Sequence, residues 1–112
     1  MEEGFYSFGY HGKAGSGMGA MLFQAGRMTG FDMRRTRYDG TYAKADDGSI
    51  TAEMILTVPP GVFLVSGAAA RDQEYAIPFT LHFPPDFGLG KSVTTSIMGE
   101  PVRASFVKMR DL

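Results

Sequence analysis

Few residues in this chain have the types and spacing that acid–base or metal chemistry requires. The sequence contains no cysteine and only two histidines, His11 and His82. Neither histidine has a carboxylate or a second histidine nearby at the spacing of a catalytic dyad or a metal site. The serines lack the G-x-S-x-G setting that exposes a nucleophile in hydrolases. We therefore expect no catalytic residue, no metal ligand and no cofactor, and we interpret the protein as non-enzymatic.

Asp32 is the carboxylate whose surroundings most suggest chemistry. It ends an apolar segment and shortly precedes Arg34, Arg35 and Arg37. Burial could raise the pKa of such a carboxyl group and create a general base. The simpler interpretation is an ion pair with an arginine that closes a turn. The three arginines could also receive an anion, but a net charge of −1 favours a solvated loop and no direct contact with nucleic acid.

The composition is that of a small globular domain. The chain has 112 residues, of which 44% are hydrophobic and 21% charged. This is enough for one domain, residues 1–112, with its own core. The acidic pair Glu2 and Glu3 is unlike a signal peptide. No apolar run approaches the ~18 residues of a membrane helix. We expect a cytoplasmic protein without a membrane partner.

Short alternating segments separated by glycine-rich turns follow one another along the chain. They predict an all-β fold, a small antiparallel up-and-down barrel of about seven or eight strands. The predicted strands are Phe5–Tyr10, Met18–Gln24, Arg27–Met33, Tyr38–Ala45, Ser49–Val58, Tyr75–Phe83, Lys91–Met98 and Val102–Met109.

Three connections and one glycine within a strand carry specific predictions. Residues 11–17 are glycine-rich and predict a flexible hairpin loop, while Asp46-Asp47-Gly48 is a strong hairpin signal. Gly30 predicts a kink or bulge that curls the sheet. Residues 62–71 are ambiguous between a strand and a helical turn, so the fold class leaves room for one short helix.

The alternation assigns two apolar surfaces. The inward face supplies candidate ligand-lining residues, and a barrel of about eight strands can either fill its interior or hold one small ligand. Both alternatives stay open. The candidate lining residues are Tyr6, Phe8, Met54, Leu56, Phe79 and Phe106.

The second strand is apolar on both sides, which predicts a homodimer interface at Met18, Met21 and Phe23.

Four segments in the first half of the chain carry a family resemblance. They are Gly4-Phe5-Tyr6-Ser7-Phe8, Gly17-Met18-Gly19, Gly26-Arg27-Met28-Thr29-Gly30-Phe31-Asp32 and Tyr38-Asp39-Gly40-Thr41-Tyr42. Together they resemble the bacterial negative regulators of type III secretion typified by GrlR. The second half of the chain is similar only in the rhythm of its strands.

The resemblance implies a lipocalin-like barrel that forms a homodimer and represses transcription indirectly, by binding a helix-turn-helix activator. The type member has an exposed acidic motif between two strands. The matching position here is Asp46-Asp47-Gly48, with only two acids, and we predict that Asp46 and Asp47 bind the partner. The alternative function is a carrier or sensor of a small apolar ligand held inside the barrel.

Overall fold

The computed structural model describes residues 2–112 and contains eight β-strands. No helix long and apolar enough to cross a membrane occurs among these residues. The strands are β1 (Gly4–Gly12), β2 (Gly15–Gln24), β3 (Arg27–Asp32), β4 (Arg37–Lys44), β5 (Ile50–Val58), β6 (Tyr75–Phe83), β7 (Leu89–Ile97) and β8 (Glu100–Arg110).

The strands form one antiparallel sheet that curls into a nearly closed barrel. Their order is β6-β5-β4-β3-β2-β1-β8-β7, so strands that follow each other in sequence are neighbours except at β6 and β7. Across that seam the Thr95 hydroxyl donates to the Thr80 carbonyl at 2.6 Å. The predicted all-β up-and-down barrel is confirmed.

The predicted flexible loop at residues 11–17 is mostly strand. β1 and β2 stay paired to their ends, with His11 opposite Ser16 and Gly12 opposite Gly15. Only Lys13 and Ala14 remain for the turn between the two strands. Glycine weakens a strand but does not interrupt its ladder, and two residues are enough to reverse an antiparallel pair.

Gly30 is not a bulge, because the pairing of β3 with β2 and β4 has no register shift. Gly30 lies on the inward face, where a Cβ atom would collide with the Ala20 carbonyl and lie 2.8 Å from Met21 Sδ. Gly19 is a similar position, since its Cβ would lie 2.9 Å from Phe8 Cζ. Inward glycines therefore leave room for large side chains on the neighbouring strand.

The connection between β5 and β6 is an irregular loop that covers one end of the barrel. Neither alternative for residues 62–71 is right, since this segment is neither strand nor helix. It follows Pro59-Pro60, and its backbone hydrogen bonds include Leu64 N–H to the Ala68 carbonyl at 3.0 Å and Ala14 N–H to the Val65 carbonyl at 2.8 Å. Leu64 and Val65 point inward and are buried.

The barrel has two different ends. We call the end where β1 begins and β8 ends the filled end, because buried aromatic rings occupy it. There the ring centroids of Tyr6 and Phe23 are 4.6 Å apart, and those of Phe83 and Phe106 are 5.1 Å apart. We call the opposite end the loop end, where residues 59–74 pack on a second, mainly aliphatic cluster.

Candidate functional site: a cavity at the loop end

A small cavity lies inside the barrel beneath the loop between β5 and β6. Its volume is about 60 Å³. Its walls are mainly apolar and come from most of the strands, and residues 63–66 of the loop form its roof. The main apolar side chains that line it are Phe8, Leu56, Phe79, Leu81, Val102 and Phe106.

The structure separates the six predicted lining residues into two groups. Phe8, Leu56, Phe79 and Phe106 line the cavity. Tyr6 and Met54 are buried elsewhere in the interior and do not line this cavity. Both residues do point inward as predicted. Alternation along a strand determines which face a residue takes, but not its depth along the barrel.

Tyr6 is held at the filled end by its own hydrogen bond. Its hydroxyl donates to the Glu2 carbonyl oxygen at 2.6 Å. Burial, with a smaller contribution from the Glu2 charge, raises the pKa of Tyr6 to about 12. The hydroxyl therefore stays protonated at neutral pH.

Asp32 forms a buried polar centre at the cavity wall. The hydroxyls of Tyr10 and Tyr38 each donate to Asp32 Oδ2 at 2.8 Å. The backbone N–H groups of Arg34 and Thr36 donate to Oδ1 at 2.9 and 3.1 Å. A carboxylate offers about four acceptor positions, and these bonds occupy them.

This arrangement replaces the ion pair that the sequence suggests. Asp32 does close the turn between β3 and β4, but it does so with backbone N–H groups. The guanidinium of Arg34 donates instead to the Ser16 carbonyl at 3.3 Å, and Arg37 pairs with Glu74 at 2.9 Å. The arginines therefore do not converge on one anion site. With its acceptors occupied, Asp32 is poorly suited to act as a general base.

The two tyrosines keep their protons in this environment. Burial raises the pKa of Tyr10 and of Tyr38, and the hydrogen bonds to Asp32 and its charge raise both further. At neutral pH each hydroxyl hydrogen is therefore held by Asp32. What the hydroxyls still offer is the remaining lone pairs on their oxygens.

A glycine on the neighbouring strand gives Tyr10 the space for its ring. Tyr10 on β1 lies directly opposite Gly17 on β2. A Cβ atom at Gly17 would lie 2.9 Å from Tyr10 Cε2 and closer still to its hydroxyl oxygen. Because Gly17 has no side chain, the tyrosine ring can lie across the backbone of β2.

Ser66 is the polar side chain of the roof. It is 1% exposed and lines the cavity. No group in residues 2–112 hydrogen-bonds its Oγ. Burying a hydroxyl without a hydrogen-bond partner lowers the stability of the fold by about 1–3 kcal/mol. Sequence reasoning missed Ser66, since nothing local marks a serine in an irregular loop as buried.

Arg34 and Phe63 lie together at the rim of the cavity. The Arg34 guanidinium carbon is 5.2 Å from the centroid of the Phe63 ring. Phe63 itself is half exposed. A contact of this kind contributes about 0.5–1 kcal/mol at an exposed site, so it holds the roof only weakly against the β3–β4 turn.

The predicted partner-binding acids lie at the other end of the barrel. Asp47 accepts hydrogen bonds from Ser49 N–H at 2.9 Å and from Ser49 Oγ at 2.6 Å. These bonds lower the pKa of Asp47 and fix the β4–β5 turn. Asp46 is exposed. Both acids face solvent, and Asp47 also shapes the turn.

The predicted dimer interface is divided by the alternation of β2. Met21 and Phe23 are 3% and 0% exposed inside the barrel, so assigning them to an outer interface is wrong. Met18 does lie on the outer face, at 59% exposure. It belongs to a run of apolar residues on the outside of β1 to β3, here called the outer strip: Phe5, Met18, Leu22, Phe31 and Met33.

The histidines and acids of the described residues do not assemble into a metal site. Among residues 2–112 there is no group of three or more His, Cys, Asp or Glu side chains that could hold an ion. His82 Nδ1 lies 3.3 Å from Thr51 Oγ1 on the outer surface. His11 is exposed on β1.

Comparison with known proteins gives no assignment. No family model matches the sequence, and no curated protein is significantly similar to it. The function is therefore argued from the residues and their geometry.

Proposed function

We propose that the protein is a non-enzymatic regulator that acts by binding another protein. In this proposal it is a homodimer in the bacterial cytoplasm that sequesters a transcriptional activator, as the resemblance to GrlR-like regulators implies. The observation that carries the proposal is the outer strip. Phe31 and Met33 are 62% and 68% exposed there, although residues of this size are usually covered.

The outer strip is continuous across the strands. Phe5 on β1 is paired with Leu22 on β2, and Ala20 on β2 is paired with Phe31 on β3. Met33 N–H donates to the Met18 carbonyl at 3.0 Å, which extends the strip past the end of β3. A contiguous exposed apolar surface is the usual mark of a surface that binds a protein.

The acidic turn supplies a second, charged element. The turn formed by Asp46, Asp47 and Gly48 is closed by the hydrogen bonds of Asp47 to Ser49, and both of its carboxylates are exposed. Such a turn suits a basic surface on a partner, because complementary charge steers association.

The test is recovery of the tagged protein from its host and native mass spectrometry of the complex. We expect two copies of this chain with a second polypeptide that is a DNA-binding activator. Asp46→Lys with Asp47→Lys should abolish recovery of the activator. The control, Glu53→Lys with Asp72→Lys, changes the net charge equally at exposed positions elsewhere and should retain it. Equal recovery with both variants would contradict the role of the acidic turn.

A second candidate function is the binding of a small molecule inside the barrel. The observation that favours it is the cavity of about 60 Å³, which combines apolar walls with the buried Ser66 hydroxyl. An engineered cavity that binds benzene has a volume of about 150 Å³. The occupant is therefore smaller than benzene while the loop stays in place, and a fatty acid would require displacement of residues 59–74.

A further inference from the structure

We propose that Met18 and Met33 form an oxidation site that regulates binding by the outer strip. Hydrogen peroxide or another hydroperoxide converts both thioethers to sulfoxides, and the oxidised strip binds a second copy of this chain far more weakly. The inference rests on the proposed function, in which the outer strip binds protein. It adds a chemical means of regulating that binding.

The two methionines are cross-strand neighbours on the outer face of the barrel. Gly19 on β2 is paired with Asp32 on β3, and the adjoining residues on the two strands are Met18 and Met33. The Met33 N–H donates to the Met18 carbonyl at 3.0 Å, so the pairing continues through them. Directly opposed residues of an antiparallel pair have Cβ atoms about 4.5–5.5 Å apart. The two thioethers therefore belong to one patch of surface.

Exposure separates these two thioethers from those of the core. Met18 and Met33 are 59% and 68% exposed, whereas Met21, Met28 and Met54 are buried inside the barrel. Susceptibility to oxidation follows exposure, so peroxide reaches the outer pair while the protein is folded and leaves the core methionines reduced. Because the outer side chains already face water, their sulfoxides do not disturb the packing of the barrel.

The reaction transfers one oxygen atom from the peroxide to each Sδ atom. The O–O bond breaks and an S–O bond forms, so the sulfur is oxidised by two electrons and hydrogen peroxide is reduced to water. The hydrogen of the transferred hydroxyl goes to the departing hydroxide, and no proton is left over. The product is a polar side chain in place of an apolar one, and methionine sulfoxide reductases reverse the change.

A sulfoxide is unsuited to the contact that the outer strip makes in a dimer. A two-fold interface uses the same patch on both subunits, so the second copy brings the apolar side chains of Phe5, Leu22 and Phe31 to the contact. These side chains offer no hydrogen-bond donor to a sulfoxide oxygen. Covering that oxygen removes its hydrogen bonds to water without replacing them, which is unfavourable.

The test measures dimer formation before and after treatment with hydrogen peroxide. Sedimentation velocity of the full chain over a range of concentrations gives the dissociation constant of the dimer, and peptide mass spectrometry locates each sulfoxide. We expect Met18 and Met33 to be oxidised before the buried methionines, and the dissociation constant to rise by about tenfold or more. A thermal melt should show that the oxidised chain stays folded. Methionine sulfoxide reductases A and B should restore the dimer.

Two variants locate the effect, each compared with itself before and after treatment. Met18→Leu with Met33→Leu keeps the outer strip apolar but removes both thioethers, so peroxide should leave its dissociation constant unchanged, whatever the starting value. The matched control Met98→Leu removes an exposed thioether from the turn between β7 and β8, outside the strip. Peroxide should weaken the dimer of this control as much as it weakens that of the original protein.

The outcomes separate this inference from the proposed function. If the untreated protein dimerises and keeps its affinity when Met18 and Met33 are both oxidised, the protein is a dimer but oxidation of this pair does not regulate it. If peroxide weakens the dimer of the double leucine variant as much as that of the original protein, another residue is responsible and the inference is wrong. If the untreated protein is a monomer at every concentration, both the homodimer and its regulation by oxidation are overturned.

Discussion

The filled end and the loop end of this barrel are built from the same strands, yet their interiors differ. At the filled end the inward positions carry aromatic rings with centroids within about 6 Å of each other, such as Phe23 and Phe83. At the loop end the inward residues include Asp32 and Tyr38, and the roof is an irregular loop. Close ring packing leaves no free volume at the filled end, whereas a cavity of about 60 Å³ remains beneath the roof of the loop end.

This difference separates the most tightly packed part of the core from the end where the cavity lies. The filled end has strand ladders and turns that hold its rings in place. The roof of the loop end has no ladder and is held by local turns, buried Leu64 and Val65, and the Arg34–Phe63 contact. Segments of this kind open at lower free energy than core strands, so we expect the roof to open before any strand of the barrel does.

The largest expected effect is at the filled end. Phe23→Ala removes a ring that is 0% exposed and should lower the free energy of unfolding by about 3–5 kcal/mol. Phe79→Ala, at the half-buried wall of the cavity, should cost about 1–3 kcal/mol, since less area is lost and the site already has free volume. Chemical denaturation of both variants measures the difference, and equal losses would contradict the division into two ends.

The buried polar centre should show the next largest effect. Asp32→Ala leaves the hydroxyls of Tyr10 and Tyr38 and two backbone N–H groups without their acceptor. We expect a loss of about 3 kcal/mol in unfolding free energy. Asp39→Ala, an exposed carboxylate on β4, serves as the control and should change stability by less than about 1 kcal/mol. A small loss at Asp32 would mean that the centre is open to solvent.

The glycine opposite Tyr10 gives a sharper local comparison. Gly17→Ala places a methyl group against the Tyr10 ring and should cost about 1–3 kcal/mol. Gly9→Ala is the matched control on the outer face, where the nearest atom to an added Cβ is 3.9 Å away. Thermal unfolding should separate the two variants. Similar melting temperatures would show that the ring of Tyr10 moves aside freely.

The smallest effect is a pH dependence in alkali. Because folding raises the pKa of Tyr6 from 10.0 to about 12, the folded state holds this proton more tightly than the unfolded state. The resulting stabilisation is complete below pH 10 and is lost as the pH rises towards about 12. Tyr10 and Tyr38 act in the same direction. Tyr6→Phe should reduce this loss of stability in alkali, as measured by chemical denaturation at a series of pH values. If the variant loses as much stability as the original protein over this pH range, Tyr6 does not contribute to the pH dependence.

Much of the fold could be predicted because strand alternation and turns are local signals. Ile50–Val58 shows strict alternation, and every inward residue of that segment is buried as expected. The inward glycines were harder to interpret, because Gly30 makes room for Met21 on the adjacent strand rather than bending its own. That role depends on the register between strands, which one segment does not reveal.

The candidate site was only partly predictable for the same reason. Phe8 and Phe79 were expected inside the barrel and do line the cavity, and Asp32 was expected at a turn. The two tyrosine partners of Asp32 come from β1 and β4, and Ser66 comes from a loop with no regular structure. Met21 and Phe23 were placed on an outer interface because a strand that is apolar on both faces does not show which face is inward.

The sequence by itself determined an antiparallel barrel, the alternation of its strands and the positions of most turns, because these follow from backbone geometry and side-chain period over a few residues. Only the tertiary structure decided which end is filled, how Asp32 is satisfied and where the cavity lies. Those features depend on side chains far apart in sequence, such as Tyr10 and Asp32, which meet only when the sheet closes.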